Sequence, residues 1–394
     1  MTQVNPAILT WSRESAGLSL GEAAVRIGLR DTKRSSAADR LAALEAGQGE
    51  PTRATLLRMA KAYRRPLLTF YLPTPPPLAD RGEDFRTLPE DQRAESAAAV
   101  DALLRDVRGR QSAVRALLDD EEAGAIPFVG SIRMDAGVAS AADALGTAIG
   151  FDLQEFRAQR NAEYAFNYLR RKVEATGVFV LLMGNLGSHH SAIDVGVFRG
   201  LALADDVAPF VVINDQDAKA AWSFTLLHEL AHILLGATGI SGGALESRIE
   251  RFCNDVASRL LLPAAELAAI DLKGVDQATA QRLISEFSQV RNISRALVAY
   301  RLRLAGELSE DRWRAVSGAF REEYLRERAE RRERGRETEG GPNYYVVKRQ
   351  RLGLALLQLV RRTLEDGALT PTKAGKILGV RPRNVESLVA EAVG

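Results

Sequence analysis

At 394 residues the chain is too long for one small domain, and its 46 % of apolar residues suffices for two or three cores. Its 53 basic and 51 acidic residues leave a net charge of +2, which excludes a polycation binding nucleic acid along its whole length; any such role must come from local charge. A single cysteine, Cys253, excludes an internal disulfide framework. No stretch reads as a signal peptide or a membrane span, so a cytoplasmic protein without a membrane partner is expected.

Residues 1–73 read as short helices. "SLGEAAVRIGL" opens with Ser19 and carries Glu22 three positions on, the pattern of a capping box. "SSAADRLAALEAG" stops at Gly47, which suits the end of a helix. Pro51 then marks a third start, with Leu56, Met59, Ala60 and Tyr63 on one face. This part holds eleven Lys/Arg against six Asp/Glu, so the remainder of the chain is net acidic. Residues 74–95 are proline-rich and polar, as in a linker or strap.

Residues 96–305 mix periods. A helix is expected from about 92 to 118, an extended segment at "AIPFVGSI", and more helix from about 138 to 175. "GVFVLLMG" reads as a buried strand. "DVGVFRGLAL" and "APFVVIND" flank a turn, which predicts a β-hairpin. The second of these strands is expected to present an edge to which an extended peptide can pair. Long helices follow, at about 217–235 and 244–263. Residues 306–394 start with a charge-dense run, read as a solvated helix face or spacer, and end in "LTPTKAGKILGVRPRNVESLV", two short helices around a Gly-Val turn. That pair resembles a second helix-turn-helix.

The chemistry concentrates in "FTLLHELAHILLG". His228 and His232 are four apart, so on a helix both imidazoles lie on one side and can share one metal. Glu229 is placed to act on water there without being a ligand, and H-E-x-x-H is the zincin signature. Two ordinary core histidines are the alternative. The surrounding helix is apolar, however, and an unpaired Glu in it costs several kcal/mol or stays protonated. A third ligand is needed. Glu246 and Glu250 share a face of the next helix, and either can serve. Cys253 is a poorer candidate, and His189 and His190 lie in a glycine-flanked loop where a surface pair is the ordinary outcome.

These motifs together resemble the ImmA/IrrE family of metallopeptidases: "FRGLALADDVAPFVVIN" precedes the histidine helix, "IERFCNDVASRLLLP" follows it, and "DFRTLP" stands at Asp84–Pro89. The N-terminal part is similar to the XRE, lambda-repressor-like helix-turn-helix fused to many members. The resemblance implies an α+β chain: an all-α N-terminal domain (1–73), a strap (74–95), a zincin-like, gluzincin-type domain with a small mixed or antiparallel sheet (96–305), and a helical C-terminal region (306–394). It implies Zn2+ held by His228, His232 and Glu250, the last by its position three residues before Cys253 and Asn254, with Glu229 as catalytic base. It further implies an endopeptidase whose protein substrate is a repressor or antitoxin-like regulator, in stress response or mobile-element control.

DNA is the expected partner of the N-terminal domain, through Lys33, Arg34 and Arg40 in or beside its recognition helix. The segment "RDTKRSSAAD" is longer than the usual tight turn at that place. The alternative for this domain is protein binding, to substrate or to a second copy in a homodimer. The alternative for the whole chain is a transcriptional regulator whose zincin-like domain senses metal or ligand. Such a sensor has no need of Glu229.

Overall fold

A computed structural model describes residues 4–76, 90–186, 191–241, 248–337 and 343–390. It is mostly helical with one small mixed sheet, an α+β architecture. The described residues fall into two compact units. One comprises residues 4–76, 90–106, 186 and 191–193; the other comprises the rest from Val107 onward.

The first unit contains α1 (Pro6–Glu14), α2 (Leu20–Ile27), α3 (Ala37–Glu45) and α4 (Arg53–Tyr63), then a 3-10 turn at Leu67–Tyr71. The expected capping box forms: Ser19 Oγ accepts from Glu22 N–H, and Glu22 accepts from Ser19 N–H at 2.8 Å. A second box, Ser36 with Asp39, starts α3. Thr52 rather than Pro51 caps α4, because its hydroxyl can accept from Thr55 N–H. Ile8, Leu9, Ile27, Leu41, Met59 and Tyr63 close the core. Each helix is short, so this shared apolar floor, more than propensity, sustains them. The start of α5 (Glu90–Asp120) belongs to this unit as well. Most of the expected strap, residues 77–89, lies outside the described residues.

The second unit is built on α6 (Val138–Ala148), α7 (Leu153–Arg157), α8 (Ala162–Glu174) and a four-stranded sheet of order β1-β3-β2-β4. β1 (Phe179–Leu182) runs parallel to β3 (Phe210–Ile213), and β2 (Gly200–Leu203) runs antiparallel to it. The predicted hairpin is β2–β3, with Leu203 opposite Phe210 and Gly200 opposite Ile213. Asp205 fastens its turn by accepting from Val207 and Ala208 N–H. β4 (Gly239–Ser241) pairs with β2.

Two expectations need correcting. β3 is an interior strand, hydrogen-bonded on both sides, so it offers no edge to a peptide. All four of its residues are buried, as a two-sided strand requires. "AIPFVGSI" forms turns instead of a strand. Its backbone goes to a helix end: Gly130 N–H donates to Ile233 O at 3.0 Å and Ile132 N–H to Leu234 O at 3.2 Å. Both carbonyls lie in the last turn, where helical donors run out, and Ile233 O also accepts from Gly236 N–H at 2.9 Å.

That helix is α9 (Lys219–Leu234), packed between the sheet and its neighbours α8, α6 and α10 (Arg248–Leu261). Beyond it come α11 (Ala264–Leu267), α12 (Gln277–Gln289), α13 (Arg295–Leu304) and α14 (Glu310–Glu337). The charge-dense run is thus helical through Glu337, and before it Val316 and Phe320 of the same helix join the main core. α15 (Tyr344–Leu352) and α16 (Leu354–Glu365) follow, then α17 (Pro371–Leu378) and α18 (Val385–Val389).

Gly353, between α15 and α16, docks on a buried ion pair. Arg170 and Glu174 of α8 lie 3.2 Å apart, each side chain 6 % exposed. Arg170 also donates to Gln350 O and Val180 O, and Leu354 N–H donates to Glu174 at 3.1 Å. A Cβ on Gly353 would fall 2.0 Å from Glu174 Oε1, and its φ of 81° also favours glycine.

Candidate metal centre

α9 brings three polar side chains into an apolar core. His228, Glu229 and His232 are 3 %, 0 % and 2 % exposed, among Leu226, Leu227, Leu230 and Ile233. The i, i+4 spacing stacks the two imidazoles one turn apart, with ring centroids at 4.9 Å. Their Nε2 atoms are 3.1 Å apart. Glu250, on the first turn of α10, closes the group, its oxygens 3.1 Å from His228 Nε2 and 3.0 Å from His232 Nε2. α10 reaches this position because its strongly one-sided apolar face, Phe252, Val256 and Leu261, packs into the core, α9 included.

Three donor atoms on one point suit a cation. Bonds of about 2.0–2.1 Å in a tetrahedral site set ligand atoms roughly 3.3–3.4 Å apart, a few tenths of an ångström from what is found. Without a cation, two imidazole nitrogens facing each other at 3.1 Å require a proton between them or on one of them. The residues therefore fit zinc.

The electrostatics follow from burial and these contacts. Burial pushes the Glu250 carboxyl up, but the hydrogen bonds from His228 and His232 outweigh it and hold the pKa at about 2. Burial opposes charge on His232, yet Cys253 and Glu250 raise its pKa well above the ordinary value. The Cys253 thiol is itself pushed up by burial. In metal-free protein the Glu250 contribution to stability is present above its unfolded pKa of 4.5 and fades as pH falls toward 2. The His232 contribution is full below 6.5 and fades as pH rises through the folded value. Zinc needs the imidazole unprotonated, so its effect has the opposite sign. The gain in melting temperature on adding zinc to chelator-treated protein should therefore grow from about pH 6 to about pH 8. A gain that is flat with pH would argue against these ligands.

Glu229 is absent from this trio of converging atoms. Its carboxylate lies against the first residue of β2: a Cβ on Gly200 would come 2.2 Å from Glu229 Oε1 and 2.7 Å from the Thr225 methyl. Glycine here is a matter of space, and the strand can approach α9 only without a side chain. Gly200→Ala should leave metal content intact and lower any hydrolysis that relies on Glu229 by about 10²-fold, the cost of a carboxylate displaced by about 1 Å. Unchanged turnover would show that the carboxylate tolerates displacement.

Residues 184–303 match the family model of the IrrE N-terminal-like domain, a peptidase family. No curated protein and no solved structure gives a significant match. The IrrE-like match covers less than a third of the chain, from the end of β1 to α13, and includes all four residues of the centre. It supports a metallopeptidase-like function.

Of the other candidates, Glu246, His189 and His190 lie outside the described residues. Cys253 is fully buried beside His232, whose pKa it helps to raise. Lys33 and Arg34 are exposed in the connection between α2 and α3, not on a helix. Arg40 is exposed on α3, its guanidinium donating to Arg30 O at 2.9 Å. The long connection has internal order: Thr32 bonds Ser35, and Asp31 accepts from Ala37 N–H at 2.7 Å. Gly200 and Thr225 were not legible as site residues. The only sequence signal was a glycine inside a strand pattern, which marks close backbone approach. No helix of the described residues is long and apolar enough to cross a membrane.

Proposed function

We propose that the chain is a zinc-dependent endopeptidase that cleaves a regulatory protein of repressor or antitoxin type, with an N-terminal helix-turn-helix unit that reads DNA. The convergence of His228, His232 and Glu250, with Glu229 beside them and outside the ligand set, carries this reading. The IrrE-like match over the same residues supports it.

His228, His232 and Glu250 are the residues that would hold zinc. When bound, the metal supplies Lewis acidity, polarising a peptide carbonyl and making water a better nucleophile. Glu229 takes the proton from the attacking water and returns it to the leaving nitrogen. Gly200 leaves the space that carboxylate occupies. The apolar walls of α9 keep bulk water from screening these charges. In the N-terminal unit, Lys33, Arg34 and Arg40 stand on the surface where phosphates are met.

The test compares protein N-termini, by mass spectrometry, in cells expressing the wild type or Glu229→Gln, with and without DNA damage. Termini found only with the wild type identify both the activity and the substrate. Two zinc-loaded proteins that leave identical termini under both conditions would favour a metal- or ligand-sensing regulator instead.

A further inference from the structure

The C-terminal helices carry a feature that peptide cleavage does not use. α17 starts on the hydroxyl of Thr370, with Pro371 at its first position, and stops at Gly379, whose φ is 63°. The chain turns through Val380 and Arg381 into a 3-10 turn at Pro382–Asn384 and then α18. The crossing is tight, since a Cβ on Gly375 would lie 2.8 Å from Val380 O. Ala374, Ile377, Leu378, Val385 and Leu388 are buried beneath it, so the turn sits on a packed floor.

Above this floor opens a shallow cleft of about 740 Å³, lined by Tyr344, Thr372, Lys376, Arg381, Arg383 and Asn384 together with Gly375 of α17 and Gly379 of the turn. Lys376, Arg381 and Arg383 are exposed, and none has a side-chain hydrogen bond or ion pair among the described residues. Three uncompensated cations around one shallow, open depression repel each other and gain from a polyanion. Thr372 and Asn384 add neutral donors of the kind that hold phosphate oxygens. Gly375 and Gly379 serve the turn itself, since a Cβ at Gly379 would meet the Arg110 guanidinium and one at Gly375 would meet Val380 O.

We propose that this cleft binds the phosphate backbone of double-stranded DNA, the α17–α18 hairpin lying against the major groove. Shape selects the partner. One helix of such a pair can enter a B-form major groove about 12 Å wide while the other crosses the backbone, whereas the major groove of A-form RNA is deep and narrow. The site uses none of the residues of the metal centre and none of the N-terminal cations, and it stands whether or not the chain is a peptidase.

The test uses the full chain carrying Lys33→Ala, Arg34→Ala and Arg40→Ala, so that N-terminal binding does not mask the effect. Binding to a short fluorescent DNA duplex of arbitrary sequence is followed by anisotropy over a range of salt. Adding Lys376→Ala, Arg381→Ala and Arg383→Ala should weaken binding and flatten the plot of log K against log salt by about 2.7, or about 0.9 for each phosphate that is no longer neutralised. Arg381→Lys with Arg383→Lys should keep most of the slope. Lys376→Glu alone, on an exposed face, should also weaken binding, which keeps the test sound if the triple change disturbs the turn. An unchanged slope in both the triple variant and Lys376→Glu overturns the proposal. So does a parent chain that does not bind DNA at low salt, or a loss of affinity seen only with a matched RNA.

Discussion

Replacing Glu229 with glutamine should leave a folded, zinc-binding protein whose peptide-cleavage rate falls by about 10²–10⁴-fold. The exchange keeps size and shape, which matters because the side chain is fully buried and pressed against Gly200. It removes only the ability to accept a proton. The three converging ligand atoms come from other residues, so zinc content should remain that of the wild type. Metal analysis, a melting curve and single-turnover cleavage of the substrate found by the N-terminal comparison together decide the matter. Retained cleavage would remove Glu229 from the base role. Lost zinc would make it a ligand.

The second large effect is on stability. Arg170→Leu should cost about 3–5 kcal/mol, because it strands Glu174 as an uncompensated buried charge. Arg170 also serves the carbonyls of Val180 and Gln350, so its loss breaks ties to both β1 and α15. Adding Glu174→Leu should recover part of the loss, since two apolar residues no longer bury a charge. The order of urea midpoints is therefore wild type, double variant, single variant, from high to low. A single variant within about 1 kcal/mol of the wild type would mean that the pair is hydrated rather than buried.

What could be read from the sequence followed from local period. The helical face of His228 and His232, the capping box at Ser19 and the β2–β3 hairpin are each fixed by residues a few positions apart. The choice of Glu250 over Glu246 was not fixed in this way; the resemblance supplied it, and the Glu250 oxygens lie 3.0–3.1 Å from both imidazoles, while Glu246 lies outside the described residues. The misses were all long-range. β3 carries the composition of any buried strand, and nothing in it says that β1 will pair on its far side. "AIPFVGSI" has the residues of a strand, but its donors are drawn to the end of α9, about a hundred positions away. The role of Gly200 depends on which helix passes over it.

The clamp at Gly353 also has a consequence in time. Arg170 and Glu174 are made long before Gln350 and Leu354, which follow them by 180 positions. At a synthesis rate of about 5–20 residues per second, that interval is roughly 10–40 s. Throughout it, α8 and β1 exist with the backbone groups that complete their buried ion pair still unmade. The growing chain must therefore hold this charged pair in water or against a chaperone. The surroundings of this ion pair are complete only after Leu354 has cleared the ribosome, so the clamp closes late in synthesis.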